Sequence, residues 1–167
     1  MLYDDFANLL ARFAQRPVPP VQGRHVYLWH GETAGLRSLL PQGLVVELDL
    51  YALAGSLPRA PFAVDEARRL LQSTITNWLQ AHSPAPGVQQ VILVTGNSLL
   101  MRYCVPLEAF FRVTNESRMV ISVISPRETT FRPPGPLPGY VSLRPAATFE
   151  YLKAHLGEPS VIGEAIP

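Results

Sequence analysis

The stretch His25-Val26-Tyr27-Leu28-Trp29-His30-Gly31-Glu32-Thr33-Ala34-Gly35-Leu36-Arg37-Ser38 decides how this chain is read. Its first half, from His25 to Trp29, is a short apolar run of β-forming residues bounded by glycines, the pattern of a strand buried on both faces. Its second half turns through Gly31-Glu32-Thr33-Ala34-Gly35 and enters Leu36-Arg37-Ser38-Leu39-Leu40, which reads as a short helix. A buried strand, a glycine-bearing turn and a helix in that order form the setting in which phosphate-binding loops occur.

The complete motif of such a loop is Gly, four residues, Gly, Lys, then Ser or Thr. Its glycines let backbone N–H groups face the phosphates, and its lysine neutralises them. Laid on that template, Gly31 keeps the first glycine, Gly35 lies within the turn, Arg37 replaces lysine and Ser38 keeps the hydroxyl. Leu36 stands where the second glycine belongs, and Glu32 brings negative charge to the place of the phosphate. Gly31, Gly35, Arg37 and Ser38 are therefore the candidate phosphate-contacting set. The alternative is that the two glycines only shape a tight strand-to-helix turn, with Arg37 solvated.

In hydrolysing proteins of this type a later apolar strand ends in an acid that holds magnesium, with a carboxylate nearby to orient water. The corresponding run here, Val91-Ile92-Leu93-Val94, is followed by Thr95-Gly96-Asn97-Ser98. Thr95 takes the magnesium-acid position and Ser98 that of the adjacent acid. Neither hydroxyl carries formal charge at neutral pH. Magnesium-dependent turnover is not expected and no cofactor is expected; ATP with magnesium is the alternative that Gly31 and Ser38 leave open. Asn97 and its two hydroxyl neighbours also suit strand-end groups that satisfy loop backbone.

Outward from these landmarks, Leu2, Phe6, Leu9, Leu10 and Phe13 recur at helical spacing and predict an amphipathic helix over Leu2 to Gln15, ended by Pro17, Pro19 and Pro20. Leu44 to Leu48 is a second strand, Val64 to Ala81 a long helix, Leu107 to Val113 a further helix and Met119 to Ile124 a fourth strand. Pro126 to Pro138 holds five prolines and reads as an irregular loop. Tyr140-Val141-Ser142-Leu143 is expected as a short fifth strand, before a last helix over Ala147 to Leu156 with Gly157 as its cap. Continuous apolar strands alternating with helices predict an α/β protein with a three-layer, doubly wound, mostly parallel sheet of about five strands. The organisation expected is an N-terminal helix and Pro-rich connection over 1–22, a degenerate P-loop α/β domain over 23–157 and a loose tail over 158–167.

Composition sets the outer bounds. The 167 residues, 47% of them hydrophobic and 16% charged, suffice for one core. A formal net charge of +1 gives no global field toward nucleic acid or an acidic membrane. Lys153 is the single lysine among arginines, and Cys104 is alone, which excludes an intramolecular disulfide and fits a reducing compartment. Asp4 and Asp5 stand where a basic leader would be, and no apolar run approaches a membrane span, so a cytoplasmic location without membrane association is expected.

His25, His30, His82 and His155 are widely separated and lack partners at zinc-ligand spacing. Ser98 lacks the Gly-x-Ser-x-Gly elbow of serine hydrolases. Arg102, Arg112, Arg118, Arg127, Arg132 and Arg144 outnumber Glu108, Glu116 and Glu128 and make the C-terminal half locally basic. Both a nucleic-acid contact and a set of solvated arginines are compatible with that excess.

Read together, these residues resemble the BrxF family of BREX bacteriophage-defence systems, small AAA-like P-loop proteins without a lid. The likeness runs from about Arg24 to Leu156. It is carried by Leu48-Asp49-Leu50, Leu53 and Leu57-Pro58-Arg59 ahead of the helix with Glu66, Arg68, Arg69, Leu70 and Leu71. Val91-Ile92-Leu93-Val94 is similar to the family's acidic-motif strand without its acid, and Leu107-Glu108-Ala109-Phe110-Phe111 with Met119-Val120-Ile121-Ser122-Val123 to its helix and sensor strand. The departures fall on Leu36, Arg37, Thr95 and Ser98. The resemblance implies a pseudo-ATPase acting as a binding or scaffold component, with protein partners in an anti-phage complex and room for a homo-oligomer. Two alternatives stay open: an ATPase active only with a partner subunit, and an unrelated α/β interaction domain. Strand order bears on the choice, because an AAA-like domain sets the loop strand centrally and beside the strand from Met119 to Ile124.

Overall fold

A computed structural model describes residues 1–20, 23–128 and 135–163. Four strands, β1 (Val26–His30), β2 (Val45–Asp49), β3 (Gln90–Thr95) and β4 (Arg118–Ile124), form one sheet in the order β1-β4-β3-β2. Every pair is parallel, with Leu28 opposite Ser122, Ile92 opposite Val120 and Leu48 opposite Val94. The unbroken apolar sequences of β3 and β4 follow from this position. Both strands are interior to the sheet and covered on both faces, and every residue of β4 is buried.

The pleat sends alternate side chains into two cores. Tyr27, Trp29, Val91, Leu93, Met119, Ile121 and Val123 meet α1 (Tyr3–Phe13) and α2 (Thr33–Arg37) on one face. Phe6, Leu9, Leu10 and Phe13 supply the buried stripe of α1, at the spacing the sequence shows. Val26, Leu28, Leu48, Ile92, Val94, Val120 and Ile124 face the other side. There they meet α3 (Leu50–Gly55), α4 (Val64–Ala81), α5 (Ser98–Arg102), α6 (Glu108–Val113) and α7 (Pro145–Leu156). The fold is thus a three-layer α/β architecture, and the N-terminal helix is part of its core.

Three expectations need correction. The sheet has four strands among the described residues, because Tyr140 to Leu143 forms no strand. That segment runs between the Gly139 turn and the helix start at Pro145, with Val141 56% exposed. The outer edge of β1 is met by a later segment: Val161 forms a parallel bridge with Leu28, and Ile162 N–H donates to Leu28 C=O at 3.0 Å. Within 158–163, Ile162 is buried and Ser160 and Val161 half-buried, while Glu158, Pro159 and Gly163 are exposed; 164–167 lie outside the described residues. Finally, the helix after β1 begins at Thr33 rather than Leu36, inside the expected turn and two residues after Gly31.

Candidate functional site

In an open parallel sheet, ligands sit beyond the carboxyl ends of the strands, where neighbouring connections depart to opposite faces. That point lies between β1 and β4. The chain leaving β1 enters α2 on the face of Leu36, whereas the chain leaving β4 returns as α7, whose Leu152 packs on the other face. Glu32 from the first connection and Ser125 with Arg127 from the second meet there. The Ser125 hydroxyl donates to Glu32 Oε1 at 3.2 Å, and Arg127 Nε lies 3.7 Å from the same oxygen.

The four candidate phosphate contacts are not gathered around this crevice. Gly31 N–H donates to Ile124 C=O and so extends the β1–β4 ladder by one bond. Gly35 lies inside α2, its N–H donating to Glu32 C=O, while Ser38 N–H donates to Ala34 C=O and the Ser38 hydroxyl to Gly35 C=O. Neither glycine has a positive φ. The N–H groups of Gly35 and Ser38 are thus used within a helical turn, and that of Gly31 in the sheet ladder. Leu36, wholly buried, is a core residue of the α1 layer. Arg37 is ion-paired with Glu47 on β2, the strand at the far edge of the sheet.

The two degenerate acid positions are brought to the strand ends as the sequence places them. Thr95 closes β3 opposite Asp49 of β2. Asp49 Oδ1 accepts from the N–H groups of Tyr51 and Ala52 and so caps α3. Gly96 follows at φ +72°, and a Cβ there would lie 3.0 Å from Tyr51 N and 3.1 Å from its ring. Glycine therefore lets Tyr51 close over the end of β3. Asn97, fully buried, donates through Nδ2 to Val94 C=O at 2.8 Å and Val123 C=O at 2.9 Å. It pins the ends of β3 and β4 together, as a strand-end group that satisfies backbone.

Ser98 is buried as well, its Oγ 2.5 Å from Tyr51 Oη. Tyr51 also hydrogen-bonds the Glu128 carboxylate. Burial pushes that carboxyl above its usual range; the Tyr51 bond works against the rise and the Asp49 charge adds to it. Ser98, Tyr51, Glu128 and Thr148 surround a small cavity with Ile124, Leu143 and Pro145. The sequence reading missed Tyr51, Glu128 and Thr148. Glu128 had a signal in its position four residues past β4; Thr148, inside the last helix, had none.

His30, at the end of β1, is stacked on Phe149 with ring centroids 4.6 Å apart. Of the arginines in the basic half, Arg118 and Arg102 are tied into the fold, whereas Arg112, Arg127 and Arg144 are exposed. Arg118 is buried, donating to Gln90 Oε1 and to Leu79 and His82 carbonyls at the end of α4. Arg102 donates to Gly139 C=O and Arg112 pairs with Glu108. Arg132 lies outside the described residues. No metal-holding group of three or more His, Cys, Asp or Glu occurs among the described residues, and no described helix is long and apolar enough to cross a membrane.

The arrangement defines a class by fold alone, a three-layer α/β protein with an all-parallel β1-β4-β3-β2 sheet. Comparison of the chain with protein-family models, curated proteins and solved structures finds no match.

Proposed function

We propose that this protein is a non-catalytic binding or scaffold module derived from a phosphate-loop ancestor. One observation carries the proposal: the crevice between β1 and β4 holds the protein's own carboxylate, Glu32, contacted by Ser125 and Arg127. An anion bound there would meet that carboxylate at close range, which Coulomb repulsion opposes. Three supporting features point the same way. The turn that would wrap a phosphate is helical, Arg37 is engaged with Glu47, and Thr95 and Ser98 supply no charge for magnesium.

The ancestry is supported by strand order. The strand preceding Gly31 lies beside β4, and β4 separates it from β3, the adjacency expected of an AAA-like domain. Its edge position differs from the central one of that type, and on that outer side β1 meets only the single parallel bridge from Val161 to Leu28. With the BrxF-like resemblance, the setting proposed is a protein complex of BREX-type phage defence. The test is turnover by the purified protein with ATP and magnesium. No phosphate release above the protein-free rate is expected; magnesium-dependent hydrolysis abolished by Arg37→Ala would overturn the proposal.

A further inference from the structure

The cavity beside Tyr51 has a donor set that its lining does not balance. Thr148 is 2% exposed and its Oγ1 has no hydrogen-bond partner. Glu128 Oε1 is also buried without a partner. Both residues line a space of about 10 Å3 together with Tyr51 and Ser98, roughly the room one water-sized particle needs. Tyr51 and Ser98 bond to each other, and the Tyr51 hydroxyl also reaches the Glu128 carboxylate; a hydroxyl oxygen carries two lone pairs.

We propose that this cavity is a binding site for a single monovalent cation, held by Glu128 Oε1, Thr148 Oγ1 and the hydroxyl oxygens of Tyr51 and Ser98. Every polar side-chain atom lining it is oxygen, no lining residue is cationic, and the one lining charge is a carboxylate. A hard cation is matched to such a set. Asp49, whose charge is felt at Glu128, deepens the negative potential. The single lining carboxylate balances one positive charge and not the two of calcium, and the cavity is too tight for a hydrated magnesium ion. A water would hydrogen-bond the same oxygens but leave the charge of the ionised carboxylate uncompensated, whereas a cation favours that ionised form. Sodium, potassium and ammonium are the candidates, and the site is independent of the crevice at Glu32.

Thermal unfolding of the full chain at pH 8 tests this, in sodium, potassium, ammonium or choline chloride at equal ionic strength. Choline is too large to enter. At ten times its Kd, a cation specific to the folded state should raise Tm by about 3–6 °C over choline, saturably. Thr148→Val, which keeps the side-chain shape, should weaken that response, and Glu128→Gln should abolish it while unfolding higher than the wild type in choline. Equal Tm in all four salts would overturn the proposal and assign the cavity to water. A cation response retained in full by both variants would also overturn it, as a general salt effect.

Discussion

Arg37, which follows β1 at one edge of the sheet, is ion-paired with Glu47 on β2 at the other. The pair spans the α2 face of the sheet and commits the guanidinium far along its helix from the strand ends. A lysine-like role toward a phosphate requires that pair to break. Both side chains are about half exposed, so the pair itself should contribute less than ~1 kcal/mol. Arg37→Ala and Glu47→Ala should each shift the urea unfolding midpoint only slightly, with the difference shrinking in 1 M salt. A loss above ~2 kcal/mol for either would show that the pair is more than a surface contact.

Asn97 is expected to be far more sensitive. Asn97→Ala strips the donors from two buried carbonyls, Val94 and Val123, at the junction of β3 and β4. At roughly 1–3 kcal/mol per buried unsatisfied group, the loss should fall between about 2 and 6 kcal/mol. Equilibrium urea unfolding reads it directly, and a loss under ~1 kcal/mol would mean the carbonyls find other donors.

The strands and long helices were legible because their signals are local. The apolar runs at Val91 and Met119 named β3 and β4, and the 3.6-residue stripe from Ala67 to Leu79 named α4. Tyr140 to Leu143 misled because β-forming residues make a strand only where a sheet edge has backbone groups to pair. Arg118 looked like one more surface arginine. Its burial depends on carbonyls at the end of α4 and on Gln90, 28 residues away in sequence. The Glu32–Ser125 contact joins residues 93 apart, and no local pattern encodes it. The glycine-bearing turn was visible, whereas its helical winding was decided by burial of Leu36 under α1.

His25 should give the fold a mild acid sensitivity. Its Nε2 is 2.5 Å from Val18 C=O and its Nδ1 2.9 Å from Tyr27 Oη, so the neutral ring donates from Nε2 and accepts at Nδ1. Burial lowers its pKa below 6.5, and the Val18 bond opposes the shift. The unfolded state therefore binds the proton first. Stability from this group is full above about pH 6.5 and falls as pH drops toward the lowered folded value, by at most ~1.4 kcal/mol per pH unit. Urea midpoints measured between pH 8 and 5 should show that decline, and His25→Gln should remove it. An unchanged slope in the variant would assign the decline to other groups.

Ile162 tests whether this later segment closes the β1 edge. Its side chain is 3% exposed in the α1-side core and its N–H binds Leu28. Ile162→Ala should cost about 2–4 kcal/mol. A stop in place of Val161 should cost more and promote concentration-dependent association, since the outward groups of Leu28 would be bared at a sheet edge. Size-exclusion chromatography and unfolding curves check both, and a truncated chain as stable and monomeric as the full one would contradict the packing.

The central claim is that the protein's own Glu32 carboxylate stands at the β1–β4 crevice, met by Ser125 and Arg127, and that no nucleotide binds there. Isothermal titration of the full chain with ATP and magnesium tests it most directly. The account predicts no saturable heat for the wild type or for Arg37→Ala. Saturable ATP binding by the wild type that is lost in Arg37→Ala would contradict it.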